Sequence, residues 1–507
     1  MYLRSLAIDG VRSIESLRMD FEPGQEPGWH VIVGPNGSGK SSIVKAFALS
    51  MLDEADVKQL PREIPSSFLR HGRKSGKIEV VVVSAAASVP KSSKWEWQFK
   101  ATGRASNASL KLSAATKKLP WHDRPVFTAA FGASRRLTGD PSLASLAASS
   151  RRLGAHLSAL SEAASLSAGQ EWLYELYSEE QRLERGARTA LKQFLSSAAV
   201  TSILDKMIRN FAKRDASGKP KTDPQPHLNK LSDAFRKCLD EVVEAYQMRH
   251  GSIVLKAIGI DVGKKVEETE FDFELDSLSR RIIRFLNQSQ FIFDSVKITE
   301  PTRDRLLVRD FTNAPLALED LSDGYRTLIT LVLEILRQML QTAGPRAFMD
   351  GLESDPSAID LPGVVAIDEI EAHLHPTWQA LIGQWLQKCF PRVQFIITTH
   401  SPIVCRAMAV QGELRGSLWK LPERNSSQSF GRITGHELDR VLYGDLVEAL
   451  GTNIFGTHVE QSRDSTRMLD SLAALNVKAL RSSLSQEEMR AQEALRKKFP
   501  ARPTILK

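Results

Sequence analysis

An α/β fold built on a mainly parallel, buried sheet is predicted for this 507-residue chain. Three observations predict it. An apolar run, His30-Val31-Ile32-Val33, leads through a glycine-rich loop into a helical pattern from Ile43 to Leu49. Two later apolar runs, Val364–Ile367 and Gln394–Thr398, end in polar residues that a sheet would present at its carboxyl edge. Such runs alternate with helical stretches, the arrangement that covers both faces of a parallel sheet.

Taken in chain order, Tyr2–Ile8 and Ile14–Phe21 read as strands ahead of the glycine-rich loop. Ile78–Ser84, Trp95–Ala101 and Pro125–Phe131 are further strands. Trp95, Trp97 and Phe99 alternate with Glu96, Gln98 and Lys100, the period of a half-buried strand. These aromatics are read as core rather than as a base-stacking surface. From about 140 to 290 long stretches rich in Ala, Leu, Glu and Arg predict helices, clearest at Glu171–Leu195 and Leu228–Gln247. Lys213–Pro226 between them reads as a loop. No heptad persists over three repeats, so no long coiled coil is expected. Beyond 290 strands return at Phe291–Ile298 and Arg305–Arg309, and a charged helical tail from about 460 to 500 includes Gln486–Lys498. The expected segments are 1–140, a mainly helical insert at 141–290, a second lobe at 291–455 and the tail at 456–507.

Composition is that of a globular protein, with 42% hydrophobic and 25% charged residues. No apolar run approaches the roughly 18 residues of a membrane helix, and Arg4, Asp9 and Arg12 interrupt any signal-like start. Cys238, Cys389 and Cys405 are odd in number and lack metal-ligand spacing, which suits a reducing, cytoplasmic setting. Net charge is +8, and the window from Arg62 to Lys118 alone carries twelve basic residues against Glu63, Glu79 and Glu96. That asymmetry points to a polyanion such as DNA or to a solvated charged face.

The motifs carry the chemistry. Gly34, Pro35, Asn36, Gly37, Ser38, Gly39, Lys40, Ser41 and Ser42 match a P-loop between strand and helix. Its glycines let backbone N–H groups turn around a phosphate, and the helix N-terminus adds positive potential. Lys40 is expected on the β- and γ-phosphates of ATP and Ser41 on Mg²⁺. Val364–Ile367 ends in Asp368 and Glu369, a Mg²⁺-holding acid followed by a base for the attacking water. Leu321-Ser322-Asp323-Gly324 precedes an apolar helix, Leu328–Leu340, and Thr398-Thr399-His400-Ser401-Pro402 brings a histidine to the sheet edge.

Together these motifs resemble ABC-type ATPases of the SMC, RecF and OLD group. Gly10-Val11-Arg12-Ser13-Ile14 stands where that group has a Phe-Arg-Ser segment, which implies a nucleotide contact for Arg12. Glu369-Ile370-Glu371-Ala372-His373-Leu374-His375-Pro376 matches its Glu-x-x-x-His-Leu-His-Pro run. The resemblance implies an ATPase head: a mainly parallel sheet, an antiparallel N-terminal β subdomain and a helical insert. It further implies that Ser322 and Gly324 grip ATP held by an opposite subunit in a homodimer, with larger oligomers open. His400 would contact the γ-phosphate, and His373 and His375 would lie in a D-loop rather than bind metal. Phe131-Gly132-Ala133-Ser134-Arg135-Arg136 sits where the family often carries a Q-loop glutamine, and none is present. Which residue completes the Mg²⁺ shell from that side is left open.

The Phe-Gly-x-x-Arg-Arg segment looks most like ATPases of antiphage systems such as Septu, PARIS and retrons, which work beside a separate nuclease or toxin. A RecF-like repair ATPase is the alternative, and a transporter motor is a poor match. No His-Asn-His pattern and no TOPRIM opening after His400 is legible, so this chain by itself is expected to cut neither DNA nor RNA.

Overall fold

The computed structural model describes residues 1–84, 92–101, 108–112, 126–196, 202, 254–259, 272–288, 296–299, 301, 305–309, 312–355, 357–422, 430–450, 452, 454–455 and 463–499. The expected loop Lys213–Pro226, the helix Leu228–Gln247 and most of the strand Phe291–Ile298 lie outside them.

β1 (Tyr2–Val11) and β2 (Ile14–Asp20) pair as a hairpin turning at Arg12 and Ser13, with Arg12 in the left-handed region at φ 51°. β3 (Gly28–Val33) then delivers the chain to α1 (Lys40–Ser50). α2 (Glu54–Gln59) and α3 (Glu63–Ser66) lead to β4 (Ser75–Val83), β5 (Ser92–Ala101) and β6 (Ala108–Leu112). These strands form an antiparallel sheet in the order β2-β1-β4-β5-β6. Trp95, Trp97 and Phe99 face its core at 3% exposure or less, and Phe99 stacks on Phe68 with centroids 5.8 Å apart. The alternation on that strand is therefore core packing.

β7 (Phe127–Phe131), α4 (Pro141–Ser149), α5 (Arg151–Leu160) and the 29-residue α6 (Ala168–Ser196) follow. A hairpin of β8 (Val254–Gly259) and β9 (Asp272–Asp276) precedes α7 (Leu278–Gln288). The short β10 (Lys297–Ile298), β11 (Leu307–Arg309) and β12 (Pro315–Ala317) make an antiparallel meander. α8 (Asp323–Ala343), α9 (Pro345–Ser354), β13 (Gly363–Ile367), α10 (Pro376–Cys389), β14 (Val393–Thr398) and α11 (Pro402–Cys405) come next. The chain continues through a β15 (Ala409–Val410) and β16 (Glu413–Leu414) hairpin, β17 (Gly416–Lys420), β18 (Gly431–Ile433), α12 (His436–Tyr443) and α13 (Leu446–Leu450). α14 (Arg463–Arg481) and α15 (Gln486–Lys498) pack on each other as the charged tail.

The second sheet runs β18-β17-β3-β14-β13-β7, parallel throughout except at β18. Alternation assigns its two faces. Ile32, Val364, Ala366 and Ile396 point to a core shared with α1 and with Leu6, Ile8, Ile78 and Val80 of the antiparallel sheet. Val31, Val365, Ile367 and Ile397 point the other way, onto α8 and α10. Helix α1 is thus sandwiched between two sheets, and burying its Phe47 alone is worth about 2 kcal/mol or more. Gln394 ties the layers: its Oε1 accepts from Leu3 N at 2.7 Å and its Nε2 donates to Leu3 O at 3.0 Å.

α4 and α5 fall within the segment expected as insert, yet Leu153, Leu157 and Leu160 of α5 pack into the α1 core beside β7. Their amphipathic pattern looks the same whichever body they join. No helix among the described residues is long and apolar enough to cross a membrane.

Candidate functional site

Parallel register sets β3, β14 and β13 side by side, with Ile32 opposite Thr398 and Ile397 opposite Ile367. The loops leaving their carboxyl ends therefore meet at one edge, where open α/β sheets bind ligands. Gly37 and Gly39 lie at φ 75° and 114°, conformations that L side chains disfavour. A Cβ on Gly39 would stand 2.9 Å from Ser13 Oγ and 3.1 Å from Ile14 Cγ1, so the loop is also packed tightly against the first hairpin. Ser13 Oγ and Ser42 Oγ, 3.1 Å apart, join that hairpin to α1.

Lys40 Nζ donates to Gly34 O at 2.8 Å and Pro35 O at 3.1 Å, curling over its own loop. Burial depresses its pKa, and the carboxylates of Glu369, Asp368 and Glu371 oppose the shift. Ser38 Oγ is buried in the loop with no hydrogen-bond partner, a donor that suits a phosphate oxygen. Ser41 in the cleft and Asp368 at the end of β13, two strands from β3, offer the hard oxygen donors that Mg²⁺ takes.

Asp368 is 5% exposed, and the Thr398 hydroxyl donates to its Oδ1. The same hydroxyl accepts from Glu369 N at 2.8 Å. Glu369 itself sits at φ 45°. Glu371 Oε1 accepts from His400 N, while its Oε2 is buried without a partner. Burial and then the Lys40 charge lower the pKa of His400, so the imidazole is neutral at pH 7.

A cleft of about 490 Å³ gathers Arg12, Asn36, Gly37, Gly39, Lys40, Ser41, Ser42, Glu369 and His400. Gly34 and Pro35 stand behind it under Lys40. Ser13, Ser67, Leu69 and His71 also line it and were not anticipated. Arg12 enters with its Nη1 on Ser67 Oγ at 3.0 Å and its guanidinium 5.8 Å from the Phe68 ring. Ser322 and Gly324 do not line this cleft. Ser322 is exposed at the head of α8 and makes no capping bond. Gly324 abuts the His373 carbonyl, which a Cβ would approach to 2.8 Å. His375 Nδ1 accepts from Thr377 N at 3.4 Å and so caps α10.

Sequence reasoning missed the role of Arg135. Its guanidinium donates to the carbonyls of Asp368, Glu369 and Ile370, on the side where a Q-loop glutamine was expected. In the basic window, Lys94 pairs with Glu79 at 2.9 Å and Lys77 with Glu79 and Glu96 at 3.4 and 3.5 Å. Lys91, Arg104, Lys117 and Lys118 lie outside the described residues.

The family described as "AAA domain, putative AbiEii toxin, Type IV TA system" matches residues 30–406, enclosing every motif from Lys40 to His400. The Septu protein PtuA of Bacillus mycoides (strain KBAB4) is 42% identical over 104 residues, 20% of this chain and 13% of that protein. The retron Ec83 probable ATPase of Escherichia coli is 37% identical over 119 residues, 24% of this chain and 20% of that protein. The chain thus covers a fifth or less of the length of these relatives. Among solved structures, the Smc head domain of Pyrococcus furiosus bound to the C-terminal domain of ScpA is similar at TM-score 0.40 and 12% identity. That likeness covers 85% of this chain and 96% of that one.

Proposed function

This chain belongs to the AAA domain, putative AbiEii toxin, Type IV TA system family, and from that premise we propose that it is a Mg²⁺-dependent ATPase of bacterial antiphage defence. It works as a dimeric switch upstream of a separate nuclease or toxin. The observation that carries the ATPase reading is the single cleft in which Lys40, Ser41, Glu369 and His400 converge. The defence role is supported by the identity to a Septu protein and a retron ATPase.

In this reading Lys40 and the loop N–H groups hold the phosphates, and Arg12 closes the cleft from the first hairpin. Mg²⁺, held by Ser41 and Asp368, would supply charge neutralisation at the β- and γ-phosphates. Glu369 accepts the proton of the attacking water, and neutral His400 offers a hydrogen bond at the γ-phosphate end. The dimer is supported by Ser322, which is exposed, uncapped and outside its own chain's cleft.

Glu369→Gln should cut hydrolysis to a small residual rate and leave ATP binding intact, so ATP-bound dimers accumulate in size-exclusion chromatography. Ser322→Arg should hydrolyse poorly while binding ATP as a monomer. A Ser322→Arg protein as fast as wild type would overturn the shared site.

A further inference from the structure

The turn that carries Glu369 is held from two sides. On one side Thr398 takes its N–H groups: Glu369 N donates to Thr398 Oγ1 at 2.8 Å and Ile370 N to Thr398 O at 3.3 Å. On the other side Arg135 takes its carbonyls. Nη2 donates to Asp368 O at 3.3 Å and to Glu369 O, and Nη1 donates to Ile370 O at 3.4 Å. Arg135 is 6% exposed, and burial pulls its pKa down only to about 10, opposed by Glu371, Asp368 and Glu369, so it stays a cation.

The clamp explains an unusual backbone. Glu369 at φ 45° and Arg135 at φ 33° both occupy a region that side-chain-bearing residues hold only when their surroundings over-determine it. Three neighbouring carbonyls turned toward one buried point need a donor there, and one planar guanidinium fits all three. Without it Asp368 O and Ile370 O lose their donor and Glu369 O keeps only Ala372 N at 2.9 Å, and the turn would relax toward negative φ. That relaxation rotates the Cα–Cβ bond of Glu369 and swings its carboxylate out of the cleft.

We infer that Arg135 is a positioning residue for hydrolysis, acting on the reaction solely through the direction of Glu369. The inference rests on reading Glu369 as the base of an ATPase. Arg135 belongs to the loop after β7, so the conformation of that loop sets whether the base is aimed.

The test is a double-mutant cycle on the full chain, with steady-state Mg-ATP hydrolysis and binding of a fluorescent ATP analogue as readouts. Arg135→Lys keeps the buried charge but cannot span three carbonyls. It should lower kcat on the order of 10²-fold, the cost of misplacing a reacting group by about 1 Å, with KM and analogue affinity changed less than about 2-fold. In a Glu369→Gln background the same substitution should lower the residual rate no further. Arg135→Lys activity equal to wild type overturns the inference. So does a loss confined to KM, an additive loss in the Glu369→Gln background, or a Lys variant too unstable to assay. Wild-type protein without Mg²⁺-dependent hydrolysis would instead sink the ATPase reading itself. A slow Glu369→Gln beside an unaffected Arg135→Lys sinks only the positioning role.

Discussion

Replacing Thr398 by Val removes a single buried hydroxyl that serves two partners at the end of β14. Thr398 is fully buried, and Val has nearly its shape, so no cavity is created. Its hydroxyl donates to the Asp368 carboxylate and accepts from Glu369 N. Losing a hydrogen bond to a charged group costs about 1.5–3 kcal/mol, and leaving an N–H unsatisfied costs about 1–3 kcal/mol. The expected loss is therefore roughly 3–5 kcal/mol. Thr398→Ser keeps the hydroxyl and deletes one methyl group, worth about 1 kcal/mol. Urea unfolding followed by tryptophan fluorescence reads the difference, because Trp29 and Trp385 are buried in the same core. With a slope near 3 kcal/mol/M, the Val midpoint should fall roughly 1–1.7 M below wild type. The Ser midpoint should stay within about 0.4 M of wild type. Val and Ser variants with the same midpoint would refute the claim that one hydroxyl joins the two carboxylate-bearing residues to β14.

A substitution in the phosphate loop and a pH titration test other parts of the structure. Gly39→Ala puts a Cβ 2.9 Å from Ser13 Oγ at φ 114°, so binding of a fluorescent ATP analogue should weaken at least ~10-fold, and an unchanged Kd would mean the loop is not held as described. His30 and His156 are fully buried, and burial pushes both pKa values down to about 4. Between 6.5 and about 4 the unfolded chain binds protons that the native chain refuses, so stability present above pH 6.5 is lost as pH falls through that window. Each histidine should cost about 2 kcal/mol between pH 7 and pH 5, read as a fall in urea midpoint. His156→Leu should remove about half of that fall, and an equally steep pH dependence in the variant would count against a neutral buried imidazole.

Much of this protein is written locally. The phosphate loop is legible because its glycines are required by backbone angles within one turn, and Gly37 and Gly39 do adopt them. Trp95, Trp97 and Phe99 reveal a buried strand face because a strand's side chains alternate regardless of what covers them. Gln486–Lys498 is found with its bounds intact, because Ser485 and Glu488 form a capping box within four residues. Asp368, Glu369 and His400 follow from apolar strands that must end at one sheet edge once they are parallel.

Other features arise only in three dimensions. The partners of Arg135 lie 233 to 235 residues away and are backbone carbonyls, which every residue type offers, so no sequence signature marks them. Gln394 bridges 391 residues to a backbone amide and carbonyl of Leu3 for the same reason. Helix α5 joins the core around α1 because long-range packing, rather than its own periodicity, selects the surface its apolar stripe covers. Ser322 carries the same local motif wherever α8 points, and only the packing of α8 against α6, α9 and β7 leaves it outside the cleft that holds Lys40.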